Sequence, residues 1–281
     1  MAMQLDVRHG LVLRRRQGEE VATVPQRSVL IKADLDEIGV TESWYGSAQD
    51  GANLHIHRRH ADSFYVLDGE LRFLTATGSL NAPAGATFVA PPGVVHGFAS
   101  ETEARFLNLH TPGCEFVESL RARRNPETYD RTRYDSHDPP EDAPSGATIS
   151  YRGDGDRLEN EKRVATIKIG RDELALLEFE LNPGFEGPRP HIHKRHVDSF
   201  YVVEGAPQFL VGDTVIEGEP GMFVSAPPGV VHAFSNPGPG SARLVNVHAP
   251  SCDFHEYMHV MASSDDIDDA THARYDQYTV A

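Results

Sequence analysis

The strongest constraint on this chain of 281 residues is that it repeats itself. The run His55-Ile56-His57-Arg58-Arg59-His60-Ala61-Asp62-Ser63-Phe64-Tyr65-Val66-Leu67-Asp68-Gly69 returns as His191 to Gly205, with all three histidines, the aspartate and the glycine kept. Pro91-Pro92-Gly93-Val94-Val95-His96 returns at the same spacing as Pro227 to His232. Asn108-Leu109-His110 returns as Asn246-Val247-His248, two positions late because the Pro/Gly-rich turn at 236–240 is longer. Fainter matches join Cys114-Glu115-Phe116 to Cys252-Asp253-Phe254, each leading into a short helix, and Arg133-Tyr134-Asp135 to Arg274-Tyr275-Asp276. Two copies of about a hundred residues predict two compact domains rather than a solenoid.

Within each copy the apolar segments are short, rich in β-branched and aromatic residues, and punctuated by Gly, Pro, Asn and Asp, as at 63–67, 71–75, 86–90 and 105–110. Many short strands of this kind predict an all-β sandwich or barrel. The expected division is a first barrel over residues 1–124, a polar linker with four prolines over 125–146, a second barrel over 147–262, and an acidic surface tail over 263–281.

Composition removes several function classes. A formal charge of −16 argues against nucleic-acid binding, which needs clustered Lys and Arg. The start, residues 1–16, is polar and ends in three arginines, so no signal or membrane segment is expected there. Two cysteines cannot staple a secreted scaffold, and Cys114 and Cys252 occupy one repeated position, so they are expected as buried thiols in separate barrels. A cytoplasmic location, with no membrane and no nucleic-acid partner, is the resulting expectation.

The spacing of the histidines carries chemistry. Residues two apart on a strand share a face, so His55 and His57 aim into one interior, as do His191 and His193. A turn then returns a strand whose early residue, Asp62 or Asp198, can face the same space, and His96 or His232 follows a Pro-Pro-Gly turn. Three imidazoles and a carboxylate make a borderline N/O set suited to Fe, Mn, Ni, Cu, Co or Zn, one ion per barrel at most. His60 and His196 are expected as solvent-facing turn histidines, with ligation or acid–base work as the alternatives. Asn108 and His110, like Asn246 and His248, share a face and are read equally as core or as hydrogen-bond partners of a ligand. Phe64 and Phe200 share the aspartate's face, Tyr65 and Tyr201 the opposite one, and Trp44 is a candidate for the pocket border.

Both halves resemble cupins. The first cupin motif is represented by Gly51, His55, His57, Asp62 and Gly69, and by Gly187, His191, His193, Asp198 and Gly205. The second is represented by Gly85, Pro91, Gly93 and His96, and by Gly221, Pro227, Gly229 and His232, its terminal asparagine being Asn236 in one copy and Ser100 in the other. The resemblance implies two tandem jelly-roll (double-stranded β-helix) barrels with short flanking helices. It implies a metal held by His55, His57, Asp62 and His96 and by His191, His193, Asp198 and His232, with no residue assigned to an organic cofactor. Most metal-binding cupins carry Glu where this chain has Asp62 and Asp198. The shorter side chain leaves direct ligation, ligation through water and an open coordination position all available.

In architecture the resemblance is to flavonol- and diol-cleaving bicupins of the quercetinase and pirin-like kind. It implies a metal-dependent dioxygenase acting on a small oxygenated substrate, with Asp62 or Asp198 moving the proton. A metal-dependent isomerase or epimerase of a sugar or keto acid, and a non-enzymatic small-molecule binder, are the alternatives. An oxalate decarboxylase is disfavoured by the two aspartates and by Gln208 standing where the first copy has Arg72. The quaternary state is left open by the sequence, and the resemblance implies a homodimer as one form, since cupins often pair through strand edges.

Overall fold

The computed structural model describes residues 10–264 and 266–280; residues 1–9 of the polar start lie outside the described residues. The described residues form two compact units, one spanning Gly18–Asp154 and the other joining residues 10–17 to those described from Gly155 onward. Each unit is a pair of antiparallel sheets closed around an apolar interior, the all-β tandem barrel architecture that the repeat implies.

In the first unit a seven-stranded sheet runs in the spatial order Thr148–Ser150, Thr87–Ala90, Ala61–Asp68, Ala104–Thr111, Gly39–Tyr45, Arg27–Asp34, Glu19–Val24. It faces a four-stranded sheet in the order Gln49–His55, His96–Ser100, Glu70–Thr75, Gly78–Pro83. The second unit repeats this plan with a seven-stranded and a five-stranded sheet, the latter ending on His191–Ile192 and Tyr278–Thr279. Period-2 alternation sorts the central strand Ala61–Asp68: Phe64 and Val66 enter the interior cluster, and Asp62 shares their face. Phe64 meets the rings of Phe73, Phe88, Phe98 and Phe106, so one end of the barrel is sealed by aromatic packing. In the second unit Phe200 packs on Phe209 and Phe234, with aliphatic side chains such as Val224 and Leu244 filling the rest.

Two short segments sit with the other unit from the one expected. Leu11–Leu13, expected in the first barrel, pairs with Phe223–Ala226 of the second, burying Leu11 and Leu13. Thr148–Ser150, expected in the second barrel, pairs with Thr87–Ala90 of the first. Both lie outside the repeated motifs and both add a strand to a sheet edge, which satisfies backbone groups that would otherwise be open. The expected linker and tail are also partly structural. Asp135 and Asp276 are buried, and Tyr278–Thr279 pairs with His191–Ile192. Cys114 and Cys252 are free thiols, half-buried rather than fully buried.

The repeated leading glycine has a steric reason. A Cβ on Gly51 would lie 2.5 Å from the Phe98 carbonyl oxygen, and one on Gly187 would lie 1.7 Å from that of Phe234. These glycines let the strand carrying the first histidine approach the one carrying the last, setting His55 opposite His96 and His191 opposite His232. Gly187 also has φ +79, a conformation that a side chain would strain. Gly187→Ala is expected to cost about 3 kcal/mol of stability, read from the denaturant midpoint.

Candidate metal centre

In the first unit His55 ends its strand, His57 follows it, Asp62 sits one residue into the next strand, and His96 opens another. The Pro-Pro-Gly turn before His96 is tied to the same spot, because Gly93 N–H donates to the His57 carbonyl at 2.6 Å. All four groups are buried, and one donor atom from each lies within 4.8 Å of every other. His55 Nε2 and His57 Nε2 are 3.1 Å apart, and Asp62 Oδ2 is 3.1 Å from His96 Nε2 and 3.7 Å from His57 Nε2. The shorter aspartate therefore reaches the point where the imidazoles converge.

The other ring nitrogens define which atoms are free. Nδ1–H of His55 donates to Asn53 O at 2.8 Å, that of His57 to Asp135 O at 2.8 Å, and that of His96 to Val94 O at 2.9 Å. A carbonyl only accepts, so each neutral ring carries its proton on Nδ1 and turns an Nε2 lone pair inward. Three lone pairs and a carboxylate oxygen then face one another with no donor among them, an arrangement that a cation resolves.

The second unit repeats this. Nδ1–H of His191, His193 and His232 donates to Arg189 O, Asp276 O and Val230 O at 2.8–2.9 Å. Asp198 Oδ2 is 3.2 Å from His232 Nε2 and 3.8 Å from His193 Nε2, and His193 Nε2 is buried without a hydrogen-bond partner. The donor set fits a divalent transition ion in each unit.

Around each set lies a layer that the motif alone does not predict. Asn108 Nδ2–H donates to Asp62 Oδ1 at 2.5 Å, and Asn246 to Asp198 Oδ1 at the same distance. His110 Nε2–H then donates to Asn108 Oδ1, and His248 Nε2–H to Asn246 Oδ1. The Asn-x-His pairs thus support the aspartates. His60 and His196, expected at the solvent, are 1% and 0% exposed. The reason is a repeated Arg-Tyr-Asp segment folded over them. In the second unit His196 Nδ1–H donates to Asp276 Oδ2 at 2.9 Å, and its Nε2 lies 2.9 Å from His248 Nδ1, a contact that becomes a hydrogen bond only when one of the two rings takes up a second proton. In the first, His60 Nδ1 lies 2.9 Å from Asp135 Oδ2 but off the hydrogen-bonding direction, and its Nε2 has no partner. Asp135 and Asp276 also accept from main-chain N–H groups at Arg58 and Arg59, and at Lys194 and Arg195.

Several other expectations change. Trp44 does not border the cavity; its indole N–H donates to Glu103, while Ser43 and Tyr45 on the other face line the site. Phe64 and Phe200, which share the aspartate's face as expected, belong to the core clusters. Arg72 is half-exposed and paired with Glu101. Ser100 and Asn236, the mismatched motif ends, both tie down neighbouring main-chain carbonyls, Gly46 O in one case and Leu181 O, Asn182 O and Gly240 O in the other.

Each set opens into a cavity. The first, about 260 Å³, is bounded by Tyr45, Phe98, Phe106 and Phe116 and by Arg27 and Arg123. The second, about 200 Å³, is bounded by Phe179, Phe234, Phe254, Met258 and Met261, with Arg163.

Comparison with known proteins agrees with this geometry. The family model for the cupin domain matches residues 46–110 and 177–248. The chain is a member of the cupins with two such domains. No curated protein matches the sequence. Similar solved structures include an oxalate decarboxylase in a formate complex from Lactobacillus farciminis, 13% identical over 85% of each chain with a TM-score of 0.59. The protein Ylba from E. coli is 10% identical over 88% of this chain and 94% of its own, with a TM-score of 0.63. AerE from Microcystis aeruginosa is 14% identical over 82% and 96%, with a TM-score of 0.58. At these identities the likeness is one of fold. Among the described residues no helix is long and apolar enough to cross a membrane.

Electrostatics suits ion binding. His55 and His191 are pushed down to about 3, by burial first and by neighbouring imidazoles second, so they are neutral at pH 7 and free to donate a lone pair. His60 is pushed down to about 3 and His196 to about 4, burial again being the largest cause. Burial opposes ionisation of Asp62 and Asp198, yet the surrounding imidazoles, His110 and His248 first among them, hold both carboxyls well below the usual range.

Two expectations follow from this arrangement. Replacing Asp135 or Asp276 by Ala keeps the carbonyl that accepts from His57 or His193 but removes the carboxylate that ties that carbonyl's segment to the main-chain N–H groups after the histidine, and is expected to weaken metal binding about 10–100-fold in that barrel, measured by chelator competition. Unfolded histidines take up protons near pH 6.5 whereas these four do not until about 3 to 4, so between those values the unfolded chain binds more protons. Stability therefore falls as pH drops through that window. Moving the metal-free protein from pH 7.5 to 5.5 is expected to cost about 1 kcal/mol per group and to lower Tm by about 5–10 °C.

Proposed function

We propose that the protein is a metal-dependent bicupin oxidoreductase of the dioxygenase kind. In this reading it uses O₂ on a small enol, diol or flavonol-like substrate, with one divalent transition ion in each barrel. The observation that carries the reading is the inward convergence of three Nε2 lone pairs and one carboxylate oxygen at the wall of a cavity, twice in one chain. The residues that would hold the ion are His55, His57, Asp62 and His96, and His191, His193, Asp198 and His232. A bound ion of this class supplies Lewis acidity toward a substrate oxygen and, where redox-active, electrons.

The chain's own groups do the rest. Phe98 and Phe106 in one barrel, and Phe179 and Phe234 in the other, present apolar walls that exclude water. Asn108 and Asn246 hold one carboxylate oxygen of Asp62 and Asp198, leaving Oδ2 as the atom that faces the site. That oxygen is the candidate either to ligate or to take the substrate's proton. A metal-dependent isomerase is the second reading. The feature that favours it is the second buried imidazole pair, His196 and His248, 2.9 Å apart through Nε2 and Nδ1 and so able to share one added proton beside Asp198, since isomerisation needs a proton taken and returned with no oxidant.

The test is elemental analysis of untagged protein followed by an oxygen electrode. About two ions per chain are expected, falling to about one in His57→Ala and in His193→Ala. O₂ uptake with some member of a flavonol, diol and diketone set is expected. No ion after reconstitution rejects the metal reading, and ions without O₂ uptake reject the dioxygenase in favour of the isomerase.

A further inference from the structure

We propose that each cavity contains a built-in carboxylate subsite, Arg27 in the first barrel and Arg163 in the second, so that the substrates are organic anions. This rests on reading the cavities as substrate sites. The two arginines are the same position of the repeat, each the first residue of its strand, Arg27–Asp34 and Arg163–Gly170. Each lines the cavity that the metal group lines: Arg27 with His55, His57 and Asp62, and Arg163 with His191 and Asp198. Each guanidinium lies over an aromatic ring, Arg27 at 4.8 Å from the centre of Tyr45 and Arg163 at 5.6 Å from that of Phe179, which orients it without neutralising it.

Neither arginine has a carboxylate partner among the described residues. Arg27 donates from Nη2 to Asp50 O at 3.1 Å, while its Nε is buried with no acceptor. Arg163 makes no side-chain hydrogen bond to another residue, and burial lowers its pKa. Acceptors are not scarce in a chain with 42 acidic and 26 basic residues. Away from the cavities, Arg121 is bound to Glu19 and Asp34, and Arg105 to Glu42 and Asp68. A desolvated cation without a counter-ion is costly, and a ligand carboxylate in bidentate contact removes that cost.

The walls then separate the two ligands. In the first cavity Arg123 is a second guanidinium without a carboxylate, its Nε donating to the Tyr129 hydroxyl, and Thr41, Ser43 and Ser136 add polar groups. That cavity is suited to a dianion or a polyoxygenated acid. In the second, Arg163 is set among Phe185, Phe234, Met258 and Met261, which suits a monocarboxylate with an apolar body.

The test is calorimetric titration of the full-length protein, both metal-free and zinc-loaded, with succinate and benzoate against their neutral amides, succinamide and benzamide. Each acid is expected to bind at least about tenfold more tightly than its amide. Arg163→Gln should remove that preference for benzoate and leave benzamide binding unchanged. Arg27→Gln should do the same for succinate, with Arg123→Gln weakening succinate further. Arg163→Lys and Arg27→Lys, which keep the charge, should retain part of the preference, and an unchanged Tm shows that the variants are folded. Equal binding of acid and amide overturns the proposal. So does an acid preference that appears only with zinc and survives both glutamine substitutions, since the ion would then be holding the carboxylate. A preference that persists in the metal-free protein and is lost in Arg→Gln supports the subsite even if the metal reading fails.

Discussion

Everything at the two sites depends on the hydrogen bonds that the histidines make on their far side. Each Nδ1–H is committed to a main-chain carbonyl, so each Nε2 lone pair has only the interior to face. Remove that constraint and the rings could rotate, take the other tautomer or pair with one another. With it, the barrels fold around clusters of acceptors that lack a donor. The strand register that sets His55 opposite His96 and His191 opposite His232 exists only because Gly51 and Gly187 let two backbones approach closely. Main-chain geometry, rotamer and protonation state are thus coupled.

The polar clusters are tolerable because the barrels are divided along their length. Aromatic packing around Phe64 and aliphatic packing around Phe200 seal one part of each interior and supply the apolar area that stabilises the unit. The histidine sets lie outside that seal, where each Nδ1–H finds a main-chain carbonyl, including those of the buried Asp135 and Asp276, and the aspartates are held by the Asn-x-His pairs. Those aspartates come from segments lying C-terminal to the strands, beyond the part that conventional motif spacing covers. A single aspartate there does two jobs: its carbonyl orients a ligand histidine, and its carboxylate caps two main-chain N–H groups of the turn that carries it.

The two halves keep one inner set of residues and differ in what surrounds it. The first barrel's cavity combines aromatic walls with two guanidinium groups that have no carboxylate partner among the described residues and with Thr41, Ser43 and Ser136. The second is lined by methionine and phenylalanine around a single arginine. His196 Nε2 and His248 Nδ1 lie 2.9 Å apart in the second barrel, whereas His60 Nε2 in the first has no partner. Retained ligand geometry with altered walls is the pattern expected when duplication keeps a metal chemistry and lets specificity drift, because walls tolerate change that a converging set of donor atoms does not.

Much of this was legible in the sequence, since the relevant signals are local. Period-2 alternation puts His55 beside His57 and Phe64 beneath Asp62 without reference to the rest of the chain. Repetition of the Pro-Pro-Gly-Val-Val-His run marks the fourth member of each set, while the Asn-x-His pairs read equally as core or as hydrogen-bond partners of a ligand. Other features depend on contacts between distant segments. His60 reads as a solvent-facing turn residue because nothing nearby indicates that Asp135 covers it, although the repeated Arg-Tyr-Asp was a signal. Trp44 reads as a pocket residue until strand parity is counted from Tyr45. The edge strands Leu11–Leu13 and Thr148–Ser150 carry no repeat signal, and only the sheets show which unit they complete. The sequence by itself determined two barrels and the four donor groups in each, through strand periodicity and duplication. The tertiary structure decided which ring nitrogens face inward, which aspartates hold them there and which arginines were left without a counter-ion, because those depend on partners up to 83 positions away.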